Sequence, residues 1–150
     1  MQTFSISSAQ SADCGACAAL LVTQLAEHGV EVSTAGLIPI LERVVADEKL
    51  GFTLVAKKGS RIIGVAYAAT LLSAEHCGFV SSLEELYVLP DCRGEGIGTA
   101  LLTAVFEEAR ARGLVAIELE VDARHERVES LYRRFGFCRL DRSRWLAALK

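Results

Sequence analysis

The sequence predicts a mixed α/β fold of the α+β class, in which a mostly antiparallel central sheet carries helices on both faces. Two strand-like segments, Phe52–Lys57 and Arg61–Thr70, flank the short turn Lys58-Gly59-Ser60 and predict an antiparallel hairpin. Later in the chain, LVAIELEV alternates apolar and acidic residues with the period of a strand that has one covered face. Apolar residues at helical spacing precede the hairpin and separate the later strands, which predicts helices packed on the sheet.

The part of the chain before the hairpin predicts one short strand and two helices. Phe4–Ile6 is expected as the first strand, and Ser11–His28 as a helix that a glycine ends. The second helix carries apolar residues at helical spacing from Leu37 onward. Pro39 is expected in its first turn, where no helical N–H bond is lost, and Gly51 at its end.

The part after the hairpin predicts strands that alternate with helices. Phe79–Leu89 is expected as an antiparallel strand, Glu95–Arg112 as a helix and Val115–Val121 as a further strand. Asp122 is expected to cap a fourth helix, because apolar residues follow it at helical spacing. Two segments are expected as closing strands, with a helix as the alternative for the second: Phe137–Leu140 and Ser143–Leu149.

The length of the chain favours one domain over residues 1–150. A hydrophobic fraction of 51% and a mean hydropathy of +0.32 argue against disorder. No apolar run reaches the about 18 residues of a membrane span. The N-terminus has no signal-peptide pattern, so a cytoplasmic protein with no membrane partner is expected. The net charge of −3 and the absence of a basic stripe argue against nucleic acid as a partner.

Cysteine usage indicates free thiols in a reducing compartment, because the number is odd (five) and no signal peptide is seen. Cys14 and Cys17 form a CxxC pattern, which also occurs in redox and zinc sites. Here the pattern lies inside a predicted helix, and no second Cys/His pair supplies ligands. We therefore expect both residues to pack in the core, and we expect no metal.

The segment most informative about function is Leu83–Leu102, LEELYVLPDCRGEGIGTALL, in which a strand runs through a glycine-rich loop into a helix. Gly94, Gly96 and Gly98 allow the backbone to approach a ligand closely. Loop N–H groups and the helix N-terminus together suit a phosphate. No Lys-Ser/Thr follows, which excludes a P-loop, and the position after a late antiparallel strand argues against a Rossmann fingerprint.

The loop sequence RGEGIG, Arg93–Gly98, resembles the pyrophosphate-binding motif Arg/Gln-x-x-Gly-x-Gly/Ala of the GNAT N-acetyltransferases. The flanking LYVLP and TALL are similar to that family too, and the resemblance covers most of the chain, most strongly from Leu83 to Phe137. It implies a GNAT-like fold, acetyl-CoA as co-substrate and direct acetyl transfer to a primary amine. The resemblance also implies a homodimer.

The same resemblance implies which residues bind acetyl-CoA. Backbone amides of the loop would hold the pyrophosphate. The end of the preceding strand would pair with the pantetheine arm and present an N–H to the thioester carbonyl, as an oxyanion hole does. The implied cofactor-binding residues are Leu86, Tyr87, Val88, Arg93, Gly94, Glu95, Gly96, Ile97, Gly98 and Thr99.

Tyr132, within SLYRRFGF, matches the family's tyrosine near the sulfur of CoA, which protonates the leaving thiolate. Its residue pattern also allows a core role, since it shares a helix face with Leu131 and Phe135, and one tyrosine can serve both roles. His125 stands where many family members place an Asn that contacts the cofactor. It reads as a solvated residue of the first helical turn.

An amine arrives as an ammonium ion and must lose a proton before it attacks the thioester, so a carboxylate acceptor is expected. Glu84 and Glu85 lie just before the pantetheine-binding segment. Because strand side chains alternate, only one of them is expected to face a given side. Glu84 matches the base of polyamine-type family members and is preferred, with Glu85 second; a solvated strand face is the alternative reading of both.

The expected acceptor is a small cationic amine, polyamine-like or aminoglycoside-like, because the chain is acidic and Glu84 is well placed. Substrate contacts are expected from the first two helices and from the connection Leu71–Gly78, where Glu75 and His76 are the candidates. The alternatives are an acetyltransferase acting on a protein N-terminus or lysine, and a non-catalytic acetyl-CoA-binding sensor module.

Overall fold

The computed structural model describes residues 3–122 and 128–150, which form two compact units that divide after Glu120. Among the described residues, the first unit contains the sheet and three helices, and the second contains one short helix. That residues 1–150 act as one domain stays a prediction.

The elements follow one another in an order that matches most of the sequence prediction. Two short 3₁₀ turns, Ser11–Asp13 and Pro90–Cys92, precede the first and third helices. The elements are β1 (Ser5–Ser8), α1 (Cys14–Glu27), α2 (Thr34–Ala46), β2 (Gly51–Lys58), β3 (Arg61–Ser73), β4 (Gly78–Val88), α3 (Ile97–Ala111), β5 (Ile117–Leu119) and α4 (Glu129–Arg134).

The five strands form one sheet in the order β1-β2-β3-β4-β5. β1 to β4 pair antiparallel with their sequence neighbours, and β5 joins β4 in parallel. The mixed, mostly antiparallel sheet predicted from the sequence is therefore confirmed. β5 is shorter than predicted, because only Ser81, Ser82 and Leu83 of β4 pair with it.

Helices cover both faces of the sheet, as predicted. On one face, Cys17 and Leu21 of α1 pack in a buried cluster with Val55, Val65 and Tyr87 of the strands. Both CxxC cysteines are buried and free, which confirms their packing role.

The opposite face of β3 lies against α3. A Cβ added to Gly64 would stand 3.0 Å from Leu101 Cδ1 and 3.4 Å from Ile97 Cγ2. A side chain at this point would therefore require Leu101 to shift, and the glycine lets α3 approach the strand backbone closely.

Three predicted helix boundaries are wrong. α2 ends at Ala46 and not at Gly51, which begins β2. α2 begins at Thr34 because Ser33 caps it, its Oγ accepting a hydrogen bond from the Gly36 N–H at 3.0 Å, so Pro39 lies inside the helix and not in its first turn. α3 begins at Ile97 and not at Glu95, because Gly96 has a φ of 81° in the left-handed region, which a right-handed helix cannot include.

The predicted closing strands Phe137–Leu140 and Ser143–Leu149 are also wrong. In the second unit, residues 137–150 form neither strand nor helix, and Trp145 and Leu149 are 91% and 97% exposed. A strand requires a neighbour to pair with its backbone, and no described strand pairs with this segment. The predicted start of the fourth helix after Asp122 falls on residues 123–127, which lie outside the described residues.

Candidate active site

A β-bulge in β4 positions two carboxylates. Tyr67 of β3 pairs with Glu85, whereas the next residue, Ala68, pairs with Leu83, so Glu84 is the extra residue. A bulge interrupts the alternation of side chains and bends the strand. The prediction that only one of the two glutamates can face a given side is therefore wrong, because both line the same cleft.

The cleft has a volume of about 180 Å³ and lies among α1, α2, β3 and β4. Glu84 and Glu85 contribute its carboxylates, and Tyr67 contributes the one phenol. The remaining lining residues are aliphatic: Leu21, Leu25, Leu37, Ile40 and Leu41. Two acids thus face a largely apolar space.

Burial, and then the neighbouring charge of Glu84, raise the pKa of Glu85 to about 7, while the charge of His28 opposes the shift. The carboxyl of Glu85 is half-buried, whereas Glu84 is exposed. Near neutral pH, Glu85 therefore exists both as a carboxylate and as an acid, which is the property that proton transfer requires. Burial and Glu84 also raise the pKa of Tyr67, so its hydroxyl stays protonated at neutral pH.

Beyond the bulge, β4 presents backbone N–H groups at an edge without a paired strand. The Leu89 N–H donates to Ile63 O at 2.9 Å, so the backbone N–H and C=O groups of Leu89 point towards β3. In an antiparallel strand every second residue points its backbone groups to the same side, so those of Glu85 and Tyr87 also point towards β3. Those of Leu86 and Val88 point the other way. Pairing with β5 ends at Leu83, directly before the bulge, and no described strand lies along the later edge.

The outward carbonyls of this edge are held by side chains. Leu86 O accepts a hydrogen bond from Gln24 Nε2 at 3.2 Å, and Val88 O accepts one from Arg93 Nε at 2.9 Å. Gln24 is buried in α1, and its Oε1 has no hydrogen-bond partner among the described residues. Gln24 was not predicted from the sequence. The available signal was a glutamine three positions after Leu21, on the apolar face of a helix.

The glycine-rich loop leaves several N–H groups without helical partners. Gly94 and Gly96 adopt left-handed conformations with φ of 80° and 81°. The Ala100 N–H donates to Gly96 O at 3.0 Å in the first hydrogen bond of α3. The N–H groups of the three preceding helical residues, from Ile97 to Thr99, therefore have no acceptor within the helix.

Ion pairs fix this loop to the sheet. Arg61 contacts Asp91 at 3.2 Å and holds the pKa of that carboxyl below its usual value, while Lys58 pairs with Glu95. The Arg93 guanidinium lies over the ring of Tyr87, 5.4 Å from its centroid. The charged side chains of the loop are thus tied to protein groups, and the backbone of residues 94–96 is exposed.

The two residues predicted by name to contact the substrate are not among those that line this cleft. Glu75 and His76 do not line it, and the His76 ring is within hydrogen-bond distance of Ser73 Oγ, at 3.0 Å. Tyr132 belongs to the second unit, where it packs edge-to-face on Phe137 with ring centroids 5.7 Å apart. His125 lies outside the described residues.

Neither a metal-binding group of side chains nor a membrane-spanning helix is present within residues 3–122 and 128–150. No group of three or more His, Cys, Asp or Glu side chains there is arranged to hold a metal ion. None of the described helices has the length and apolar character to cross a membrane.

Comparisons with known proteins identify the family. An uncharacterized N-acetyltransferase of Methanocaldococcus jannaschii is 34% identical over 87 residues, which are 58% of this chain and 38% of that protein. The mycothiol acetyltransferase of Pseudarthrobacter chlorophenolicus is 36% identical over 94 residues, 61% of this chain and 28% of that protein. The chain thus spans well under half the length of these relatives.

A solved aminoglycoside N-acetyltransferase in complex with CoA has the same fold, with a TM-score of 0.83, 17% identity and coverage of 99% of this chain and 96% of that one. The model of the acetyltransferase (GNAT) family matches residues 18–137. This match covers most of the chain, and the chain belongs to the GNAT acetyltransferase family.

Proposed function

We propose that this protein transfers an acetyl group directly from acetyl-CoA to a primary amine. The observation that carries the proposal is Glu85, a carboxyl with a pKa of about 7 that lines an apolar cleft. The outward edge of β4 begins just beyond it. A proton acceptor is thus close to backbone donors in a family of acetyltransferases.

The described residues fit acetyl-CoA, which supplies an activated acetyl thioester. The N–H groups at the start of α3 that lack a helical acceptor suit a pyrophosphate. A Cβ at Gly94 or Gly96 would meet no atom of the described residues within 4 Å, so the loop surface is open there. The N–H groups of Leu86 and Val88 suit the amide and thioester oxygens of an extended arm. Family membership supports this assignment of the donor.

Three groups would then carry the reaction. Glu85 accepts the proton of the incoming ammonium ion, with Glu84 beside it to attract the cation. An N–H of the β4 edge donates to the carbonyl oxygen on which negative charge grows. The Tyr132 hydroxyl gives its proton to the departing thiolate, a role that rests on the family resemblance alone.

A small cationic acceptor is part of the proposal, because two carboxylates line the cleft. A cytoplasmic location and a homodimer stay predictions.

The test is release of CoA thiol from acetyl-CoA in the presence of an amine panel. We expect release with one amine class, strongly reduced in Glu85→Gln and Tyr132→Phe and less reduced in Glu84→Gln. Saturable acetyl-CoA binding without release from any amine would contradict catalysis and favour a sensor module. Failure to bind acetyl-CoA would overturn the proposal entirely.

A further inference from the structure

We infer that the acceptor is a small monoamine whose single substituent is one compact apolar group, about the size of a benzene ring or a branched alkyl chain. The inference rests on the proposed acetyl transfer and names the substrate class of that site. It differs from the polyamine-like or aminoglycoside-like acceptor predicted from the sequence. That prediction rested on net charge and on Glu84, and neither indicates that the side chains lining the cleft are mostly aliphatic.

The walls carry the inference. Of the eight residues that line the cleft, five are aliphatic and one is Tyr67. The aliphatic side chains come from α1 and α2, while both carboxylates come from the bulge in β4. An occupant therefore meets carboxylates on the strand and aliphatic side chains on the helices.

The volume limits the size of the apolar group. An apolar cavity of about 150 Å³ lined by similar side chains binds one benzene molecule, whereas drug-sized ligands occupy about 300–1,000 Å³. The cleft, at about 180 Å³, matches the smaller case. A single ring fills this space, whereas only part of a multi-ring aminosugar would lie inside it.

The distribution of charge limits the number of ammonium groups. The positive charge of one ammonium ion beside Glu84 and Glu85 is compensated by these carboxyl groups. A second ammonium ion, placed against Leu25 and Leu37, would lose part of its hydration without a partner among the lining side chains. Many hydroxyl groups would likewise lack partners on these walls. A polyamine or an aminoglycoside is therefore disfavoured by the same surface that accepts an apolar substituent.

The first experiment compares kcat/KM at saturating acetyl-CoA for phenethylamine, isoamylamine, putrescine, kanamycin and a short peptide with N-terminal phenylalanine. We expect phenethylamine and isoamylamine to exceed the other three by at least about tenfold, because one methylene in an apolar pocket already changes kcat/KM by about 10- to 200-fold. An equal or higher value for putrescine, kanamycin or the peptide would overturn the inference.

The second experiment changes one wall of the cleft. Ile40 is 44% exposed at the cleft, so Ile40→Asp adds a charge to the wall without burying it in the core. We expect kcat/KM for phenethylamine to fall about tenfold or more, while the value for putrescine falls less or rises. Ile40→Val should keep the wild-type preference. Val32→Asp, which adds the same charge outside the lining, should also keep it.

Two results separate failure of the inference from failure of the proposed function. Equal losses for phenethylamine and putrescine in Ile40→Asp, with unchanged thermal stability, would overturn the inference and leave acetyl transfer intact. Acetyl-CoA binding without thiol release from any of the five acceptors would overturn acetyl transfer, and the inference with it.

Discussion

At the scale of single residues, Glu85 differs from an ordinary surface carboxylate in how it titrates. Burial and the charge of Glu84 together bring its pKa to about 7. A base with this pKa is available in its charged form at neutral pH and still binds a proton readily. The chemistry proposed for the cleft thus depends on the pair, since the charge of Glu84 helps to raise the pKa of Glu85.

Glu85→Gln should lower kcat/KM by about 10²- to 10⁴-fold, the usual contribution of a general base. In the wild type, kcat/KM should rise as the pH increases through about 7, because Glu85 must lose its proton before it can accept one. The pH–rate profile should lose this limb in Glu85→Gln.

Glu84→Gln is the matched control for that measurement. It should keep the limb but move it to lower pH, since the charge of Glu84 is one cause of the raised pKa. If Glu84→Gln abolished the limb and Glu85→Gln preserved it, the roles of the two residues would be reversed.

The same pKa has a consequence for stability. Between the ordinary value of 4.5 and about 7, folded chains hold a proton on Glu85 that unfolded chains have lost, so stability falls as the pH rises through this window. Glu85→Gln should therefore raise the Tm at pH 8 by about 2–4 °C, equivalent to about 1 kcal/mol after solvent screening is allowed for. Thermal unfolding at pH 8 and pH 4.5 checks this, and an equal gain at both pH values would argue against it.

Both glutamates and the glycine-rich loop were predicted from the sequence, because the loop resembles the family's motif and the glutamates lie directly before the segment implied to bind pantetheine. Their roles stay predictions. The relation between the glutamates was predicted wrongly, since a bulge at Glu84 depends on the register with β3 and leaves no mark in the alternation of β4 itself. Gln24 was missed because its partner, Leu86 O, is a backbone atom distant in the chain.

At the scale of elements, the start of α3 depends on the left-handed conformation of Gly96. Gly96→Ala would strain this conformation by about 1–2 kcal/mol and turn the following N–H groups away from their present directions. We expect affinity for acetyl-CoA, measured by calorimetry, to fall at least about tenfold, the equivalent of 1.4 kcal/mol.

Gly113→Ala is the matched control for Gly96→Ala. Gly113 has a φ of 71°, its Cβ position is open, and it lies at the other end of the same helix. It should lose similar stability and keep its affinity for acetyl-CoA. Equal affinities of the two variants would show that the loop conformation does not matter for binding.

Elements with local signals were predicted best. The β2–β3 hairpin and the helices on either side of it follow from periodicity and turn residues. The closing strands over residues 137–150 failed because an apolar pattern cannot supply a pairing partner. Pro39 was misplaced because the Ser33 cap started the helix earlier than its apolar face indicated.

At the scale of the whole molecule, bound acetyl-CoA should stabilise the folded chain by mass action. At a concentration 100 times the Kd the gain is about 2.7 kcal/mol, or about 5–11 °C in Tm for a chain of this size. Tyr132→Phe should keep this shift and lose thiol release, because the proposed role of its hydroxyl is proton donation. Loss of the thermal shift in this variant would instead indicate a role in binding.

The bulge also affects how this strand can gain or lose residues. Pairs with β3 exist on both sides of Glu84, so a single-codon deletion at this position would leave each of those pairs intact and would keep Glu85 opposite Tyr67. The deletion would remove one charge and the local bend together, whereas Glu84→Gln removes the charge alone. Comparing the two variants would therefore separate the electrostatic contribution of position 84 from its geometric one, in a chain whose remaining register is unchanged.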